Sequence, residues 1–142
     1  MKTLALSGGD LVVGSTGHVT VSGRRKITQE LSLALSESYG FDKYHQDLGS
    51  ILRDFVGEPI TDETQALVEA EVGRVLRGYI DTQRREVLED HLSYRASRFD
   101  ASDVVTAVTS ISSSVSFDQI TVRATLRTAS GQTIDLARTV TA

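Results

Sequence analysis

The spacing of apolar residues changes once along this chain, and that change constrains the fold more than any other feature. From Asp62 to about Ser97 apolar side chains recur at helical spacing, whereas beyond Asp103 they alternate with polar ones. Between Ile120 and Leu126 every second residue is apolar, which is typical of a strand with one buried face. A long helix followed by strands predicts an α+β fold.

The elements before the long helix are predicted to be short. Residues 11–23 read as an N-terminal β-hairpin, because valines two apart flank a Ser-Thr-Gly turn. Apolar residues at helical spacing predict one short helix over residues 27–39 and a second over residues 48–56. The long helix over residues 62–97 would extend about 54 Å at 1.5 Å per residue, beyond the roughly 37 Å diameter expected for a chain of this length. We therefore predict a break in its polar stretch, residues 81–86.

The C-terminal part is predicted to form antiparallel strands. Residues 120–127 and 133–140 flank a turn at 129–132, whereas the mixed pattern of residues 104–116 indicates either a bulge or a strand covered on both faces. The expected architecture is an N-terminal β-hairpin, two short helices and one long helix, with the C-terminal strands forming a small sheet packed on the helices. The sequence shows no internal repeat and no linker, so residues 1–142 are predicted to form a single domain.

Composition excludes several classes of function. The chain has 142 residues with 15 Lys and Arg against 19 Asp and Glu, so its net charge of -4 argues against a nucleic-acid partner. No apolar stretch approaches the roughly 20 residues that cross a bilayer, so no membrane contact is expected. The absence of cysteine excludes a thiolate metal site or nucleophile.

The sequence offers little for catalysis. Its three histidines lack metal-ligand spacing, and neither a phosphate-binding loop nor a Gly-x-Ser-x-Gly elbow is present. A pair of carboxylates suffices for glycoside hydrolysis, and candidates for such a pair are Glu37, Asp42, Asp47 and Asp54. A chain with no Trp, four Tyr and four Phe has few aromatic platforms for sugars, so we interpret these acids as solvated. We expect no catalytic residue, no metal and no cofactor.

A series of short motifs between residues 10 and 80 resembles one protein family. The motifs are, in order, Asp10-Leu11-Val12-Val13, Val21-Ser22-Gly23, Ile27-Thr28-Gln29-Glu30-Leu31, Gly40 and Asp47-Leu48-Gly49-Ser50-Ile51-Leu52. In order and spacing they resemble the small baseplate wedge proteins, also called sheath initiators, of contractile phage tails and related injection machines. Members of that family are often labelled lysozyme-like. This chain departs from the family at two places. It has Leu48 where the family has an aromatic residue, and it has Tyr-Ile-Asp-Thr-Gln-Arg at residues 79–84 where the family has the tripeptide Glu-Pro-Arg. Residues 85–100 resemble an insertion.

The resemblance implies a virion structural protein that is made in the host cytoplasm and incorporated into the tail baseplate. It implies no enzymatic activity; its partners would be baseplate wedge subunits, the tail sheath protein and the tail tube or hub. Asp81 and Arg84 occupy the positions that correspond to the wedge-docking tripeptide. Sheath assembly would be templated by β-strand exchange, for which the expected contact residues are Leu11, Val13, Val19, Val21, Ile134, Leu136 and Val140. Two alternatives stay open, a peptidoglycan-degrading lysozyme-like enzyme of the tail and a small adaptor domain outside phage particles.

Overall fold

The computed structural model describes residues 1–141, so Ala142 of the predicted domain lies outside the described residues. The fold is α+β, with twelve elements in chain order. They are strands β1 (Thr3–Leu4), β2 (Leu6–Ser7), β3 (Asp10–Leu11), β4 (Val13–Gly14), β5 (Gly17–His18) and β6 (Thr20–Val21), helix α1 (Gly23–Ser36), a single 3-10 turn (Leu52–Phe55), helix α2 (Asp62–Leu92), and strands β7 (Val105–Ser116), β8 (Gln119–Thr128) and β9 (Thr133–Thr141).

The six short strands form a closed triangle in which β1 pairs with β6, β2 with β3 and β4 with β5. At its centre the amide of Ala5 donates to the carbonyl oxygen of Val19 at 2.7 Å, and that of Val19 donates to Val12 at 3.0 Å. The amide of Val12 donates back to Ala5 at 2.9 Å and closes the cycle. Each side of the triangle therefore finds both its hydrogen-bonding neighbours within residues 3–21.

The triangle also has a pseudo-threefold repeat of seven residues, since its three centres are residues 5, 12 and 19. Adding seven to both residue numbers of the pair Leu6↔Leu11 gives the pair Val13↔His18. The third pair, Thr20↔Leu4, follows when the numbering is continued around a cycle of 21 residues, in which position 25 coincides with position 4. The expectation of no internal repeat is therefore wrong. The signal is faint in the sequence because only small or apolar character recurs, and no residue is identical at all three copies.

The strands β7, β8 and β9 form an antiparallel sheet in that order, and one of its faces packs on the two helices. Alternate residues of β8 and β9 are buried, as the alternating pattern predicts. Helix α1 contributes Ile27, Leu31 and Leu35 to the core beneath the sheet. Helix α2 contributes an apolar stripe at helical spacing, which consists of Val68, Val72, Val75, Leu76 and Ile80.

The predicted arrangement of the first sixty residues is wrong in two places. Only β4 and β5 form the expected hairpin, and the rest of the predicted N-terminal hairpin belongs to the triangle. The second short helix is replaced by the 3-10 turn, because the residues before it are committed to a bridge between Ser38 and Ser50. Gly49, at φ 98°, makes that bridge possible, since a Cβ there would lie 2.6 Å from the carbonyl oxygen of Ser38.

The predicted break in the long helix is also wrong, because α2 runs through residues 81–86 without interruption. Thr61 caps its first turn by accepting a hydrogen bond from the amide of Thr64. Ile80 and Gln83 are buried against the start of β7, so tertiary contacts support the helix where the sequence is polar. At 31 residues α2 is about 46 Å long, so a single continuous helix exceeds the diameter expected for a chain of this length. Neither described helix has a stretch long and apolar enough to cross a bilayer.

Candidate interaction surfaces

The outer edge of β9 is a row of backbone groups without partners in residues 1–141. The Thr128 amide donates to the Gln132 carbonyl oxygen across the β8–β9 turn, so these two residues form a hydrogen-bonded pair. Hydrogen-bonded and non-hydrogen-bonded pairs alternate along an antiparallel ladder, so every second residue from Gln132 onward along β9 bonds to β8. The residues of β9 that exchange bonds with β8 are therefore Ile134, Leu136, Arg138 and Val140. The amide and carbonyl groups that point outward belong to Thr133, Asp135, Ala137, Thr139 and Thr141, all of which are exposed. β9 is regular along its whole length, so this edge presents a straight template for another strand.

The opposite edge of the sheet, β7, is covered by side chains of α2. The amide group of Gln83 donates to the Asp103 carbonyl oxygen at 2.6 Å, and its oxygen accepts from the Val105 amide at 2.7 Å. That side chain thus makes the two bonds that a neighbouring strand would make. At the far end, Gln65 donates to the carbonyl oxygen of Ser113 at 3.4 Å and to its hydroxyl at 2.8 Å.

Two bulges further distort the β7 edge. The register with β8 shifts at Thr106 and at Thr109, which have no residue opposite them. Their hydroxyls donate to the carbonyl oxygens of Arg127 and Thr125, both at 3.0 Å. Bulges of this kind make an edge strand a poor template for pairing. β7 is therefore blocked by its own chain along residues 103–109 and at Ser113, whereas β9 has no such block within residues 1–141.

The predicted sheath-contact residues fall into two groups. Ile134, Leu136 and Val140 lie in β9 as expected, but their side chains are buried in the core. Only the backbone of β9 and its outward side chains can reach a partner. The sequence prediction chose the apolar residues of β9, which face the core. The same alternation along the strand also identifies the polar residues between them as the ones that a partner can reach.

The N-terminal contact residues occupy the triangle. Leu11 and Val13 are about half and two-thirds exposed, Val19 is also exposed, and Val21 is partly buried. Since the triangle satisfies its central backbone bonds internally, these residues present side chains to a partner and do not form a free strand edge. Gln29 of α1 holds the triangle in place, because its side chain bonds to the backbone on both sides of Ala5.

The structure brings Asp81 and Arg84 together on the exposed side of α2. The nearest atoms of their side chains, Oδ1 and Nη1, lie 3.7 Å apart, and Arg84 also donates to the carbonyl oxygen of Thr106 at 3.2 Å. They line a groove of about 520 Å³ between α2 and the bulged part of β7. An ion pair this exposed contributes at most about 1 kcal/mol, so both side chains are free to exchange partners.

The acids considered for hydrolysis all lie in the segment that runs from the end of α1 to the 3-10 turn. Asp42 lies on an exposed loop, where hydrogen bonds from the Tyr44 amide and from His45 lower its pKa. Glu37 follows the end of α1, Asp47 lies near Gly49, and Asp54 lies in the 3-10 turn. Within residues 1–141 no cluster of three or more His, Asp or Glu could hold a metal ion.

The buried acids are Glu71, Asp90 and Asp103, which sequence reasoning did not single out. Burial raises the pKa of Glu71, but hydrogen bonds from Arg74 and from the Ile51 amide outweigh that effect and lower it. Burial likewise raises the pKa of Asp103, but the hydrogen bonds that its carboxylate accepts outweigh that effect and lower the pKa. Its carboxylate accepts from the terminal amino group at 2.7 Å and from the Gly23 amide at 2.6 Å. Hydrogen bonds from Arg98 lower the pKa of Asp90.

Comparison with known proteins gives a structural relative at low sequence identity. No protein-family profile matches the chain, and no curated protein matches it. The crystal structure of a "putative tail lysozyme" from Geobacter sulfurreducens matches with a TM-score of 0.58 and 15% identity, over 93% of this chain and 96% of that chain. At this identity the likeness shows that the two chains share a fold over nearly their whole lengths.

Proposed function

We propose that this chain is a structural protein of a contractile phage tail or a related injection machine, which templates the tail sheath by β-strand pairing. The single observation that carries the proposal is the open edge of β9, a nine-residue strand whose outward backbone groups have no partner in residues 1–141. The contrast with β7 supports it, because side chains of α2 and two bulges block much of that edge, whereas β9 has neither among the described residues. The motif series over residues 10–80 and the fold shared with a protein named for phage tails give the context.

In this proposal the chain resides in the tail baseplate, and the tail sheath protein supplies the strand that pairs with β9. Baseplate wedge subunits dock at the groove beside Asp81 and Arg84, where a partner's carboxylate or guanidinium group replaces the weak exposed pair. The exposed side chains of Leu11 and Val13 in the triangle give a further contact for the sheath, tube or hub.

Peptidoglycan hydrolysis is the second candidate, because the structural relative is named as a tail lysozyme. A general acid for this chemistry needs a raised pKa, whereas Glu71, Asp90 and Asp103 all have lowered pKa values. None of these three acids is therefore suited to act as a general acid, and we propose that the chain is not an enzyme. A cell-wall clearing assay tests this, and turnover abolished by a single Asp or Glu substitution would contradict it.

A pair of proline substitutions tests the strand-pairing proposal. Deletion of residues 133–142, an obvious truncation, would also remove the buried side chains of Ile134, Leu136 and Val140, so it would not separate pairing from folding. Ala137→Pro removes one outward amide of β9, and Val115→Pro is the matched control on the outward row of β7. On co-expression with the tail sheath protein, we expect Ala137→Pro alone to prevent ordered sheath polymer. Normal polymer with a folded Ala137→Pro protein would overturn the proposal.

A further inference from the structure

Arg138 is the exception in the inward row of β9. The other inward residues of this strand are apolar and buried, namely Ile134, Leu136 and Val140. The side chain of Arg138 is half-buried, and its Nε is fully buried without a hydrogen-bond partner in residues 1–141. None of the ion pairs of the described residues includes it. A buried donor without an acceptor is costly, so this position is suited to a group that the chain itself does not supply.

The geometry of strand pairing determines where that group would come from. Residues directly opposite each other on neighbouring strands point to the same face of the sheet. A residue of an added strand that lies opposite Arg138 would therefore point inward, beside the guanidinium group. Its neighbours two positions away would lie beside Leu136 and Val140 on the same face. A planar guanidinium group matches a carboxylate in shape and charge, which identifies the complementary side chain as Asp or Glu.

We propose that β9 selects an extended partner segment whose inward side chains are apolar, acidic and apolar in succession, with the carboxylate on Arg138. This inference rests on the proposed function, because it assigns the chemistry of the strand that the open edge receives. The pattern is the same in either direction, so it holds for parallel and antiparallel pairing. The partner is a different chain, since the inward residues of a second β9 are apolar or Arg138 itself and offer no carboxylate in any register.

The experiment uses the full chain and three synthetic peptides that differ only at their centre. The first has the sequence Thr-Val-Thr-Glu-Thr-Val-Thr, and the others carry Gln or Lys in place of Glu. Titration followed by NMR gives each affinity and reports on the outward amides of Asp135, Ala137 and Thr139. We expect the Glu peptide to bind about tenfold more tightly than the Gln peptide, and the Lys peptide to bind most weakly.

Substitutions at Arg138 then assign the preference to that side chain. Against Arg138→Gln the Glu and Gln peptides should bind equally, and against Arg138→Glu the Lys peptide should bind best. If neither variant folds, the three affinities for the unmodified protein still decide the question. Equal affinities with perturbation of the β9 amides would overturn the acidic preference and leave edge pairing intact. No perturbation by any peptide would overturn edge pairing as well.

Discussion

The two edges of one small sheet differ in how their backbone groups are satisfied. At β7 the side chains of Gln65, Gln83 and Arg84 bond to the outward carbonyl and amide groups, and two bulges bend the strand. At β9 nine consecutive residues are regular, and the outward groups face solvent. Both strands pair with β8, so the sheet itself does not cause the difference. It arises because α2 runs along β7, while no helix side chain bonds to the outward backbone of β9 in residues 1–141.

This contrast indicates which edge is protected from other chains. An unprotected edge strand exposes a protein to unwanted pairing, and chains usually block it with bulges, charges or a covering element. Here the blocking devices are concentrated on β7. A chain that blocks part of one edge and leaves the whole of the other straight is better suited to pairing at β9 than at β7.

The largest expected effect comes from opening the closed edge at Gln83. Gln83→Leu leaves the buried Asp103 carbonyl and Val105 amide without partners, so we expect the free energy of unfolding to fall by roughly 3 kcal/mol. Gln83→Glu keeps the acceptor for Val105 but loses the donor, so its loss should be intermediate. Chemical denaturation measures both. Thr139→Ala on the open edge is the control and should change stability by less than about 0.5 kcal/mol. Equal losses at the two edges would contradict the contrast.

A second effect concerns the carboxylate that anchors the start of β7. The folded-state pKa of Asp103 lies below its value in the unfolded chain, so its contribution is present above the unfolded pKa of about 3.9 and is lost as the pH falls through the folded value. Asp103→Asn removes the charge-assisted bonds to the terminal amino group and to Gly23, and should cost about 2 kcal/mol at pH 7.

The measurement for Asp103 is the free energy of unfolding between pH 7 and pH 2. The difference between the original protein and Asp103→Asn should shrink as the pH falls below about 4. Thr139→Ala, which removes no charge from β9, is the control and should give a nearly constant difference. A difference for Asp103→Asn that is the same at both ends of the range would show that the charge does not contribute.

A smaller effect is expected at the bulges. The Thr109 hydroxyl donates to the Thr125 carbonyl oxygen on the exposed face, so Thr109→Val should cost about 0.5–1 kcal/mol. Thr133→Val is the matched change on β9, where the hydroxyl has no partner in residues 1–141, and it should be neutral within error. Thermal denaturation of the two variants compares them directly. A neutral Thr109→Val would mean that the backbone alone fixes the bulge.

The sequence predicted the parts of this fold that depend on periodicity. The alternation in β8 and β9 identified the hairpin and its buried face, and the mixed parity upstream left a bulge in β7 as one of two options. The continuity of α2 could not be predicted, because it depends on Gln83 reaching Asp103 and Val105 across the fold. The triangle was missed because its two-residue strands are too short for a periodic signal. The predicted contact residues Ile134, Leu136 and Val140 lie on β9, but they are the buried residues of that strand.

The smallest effect is expected at Arg84, which covers the β7 edge from the solvent side. Its bond to the Thr106 carbonyl oxygen and its pair with Asp81 are both exposed, so Arg84→Ala should lower stability by no more than about 0.5 kcal/mol. Because Gln65 and Gln83 still hold the edge, the variant should keep the oligomeric state of the original protein in analytical ultracentrifugation. Lys in place of Arg84 is the control that keeps the charge. If Arg84→Ala self-associates and Arg84→Lys does not, then closure of β7 depends on a surface charge as well as on the buried glutamine.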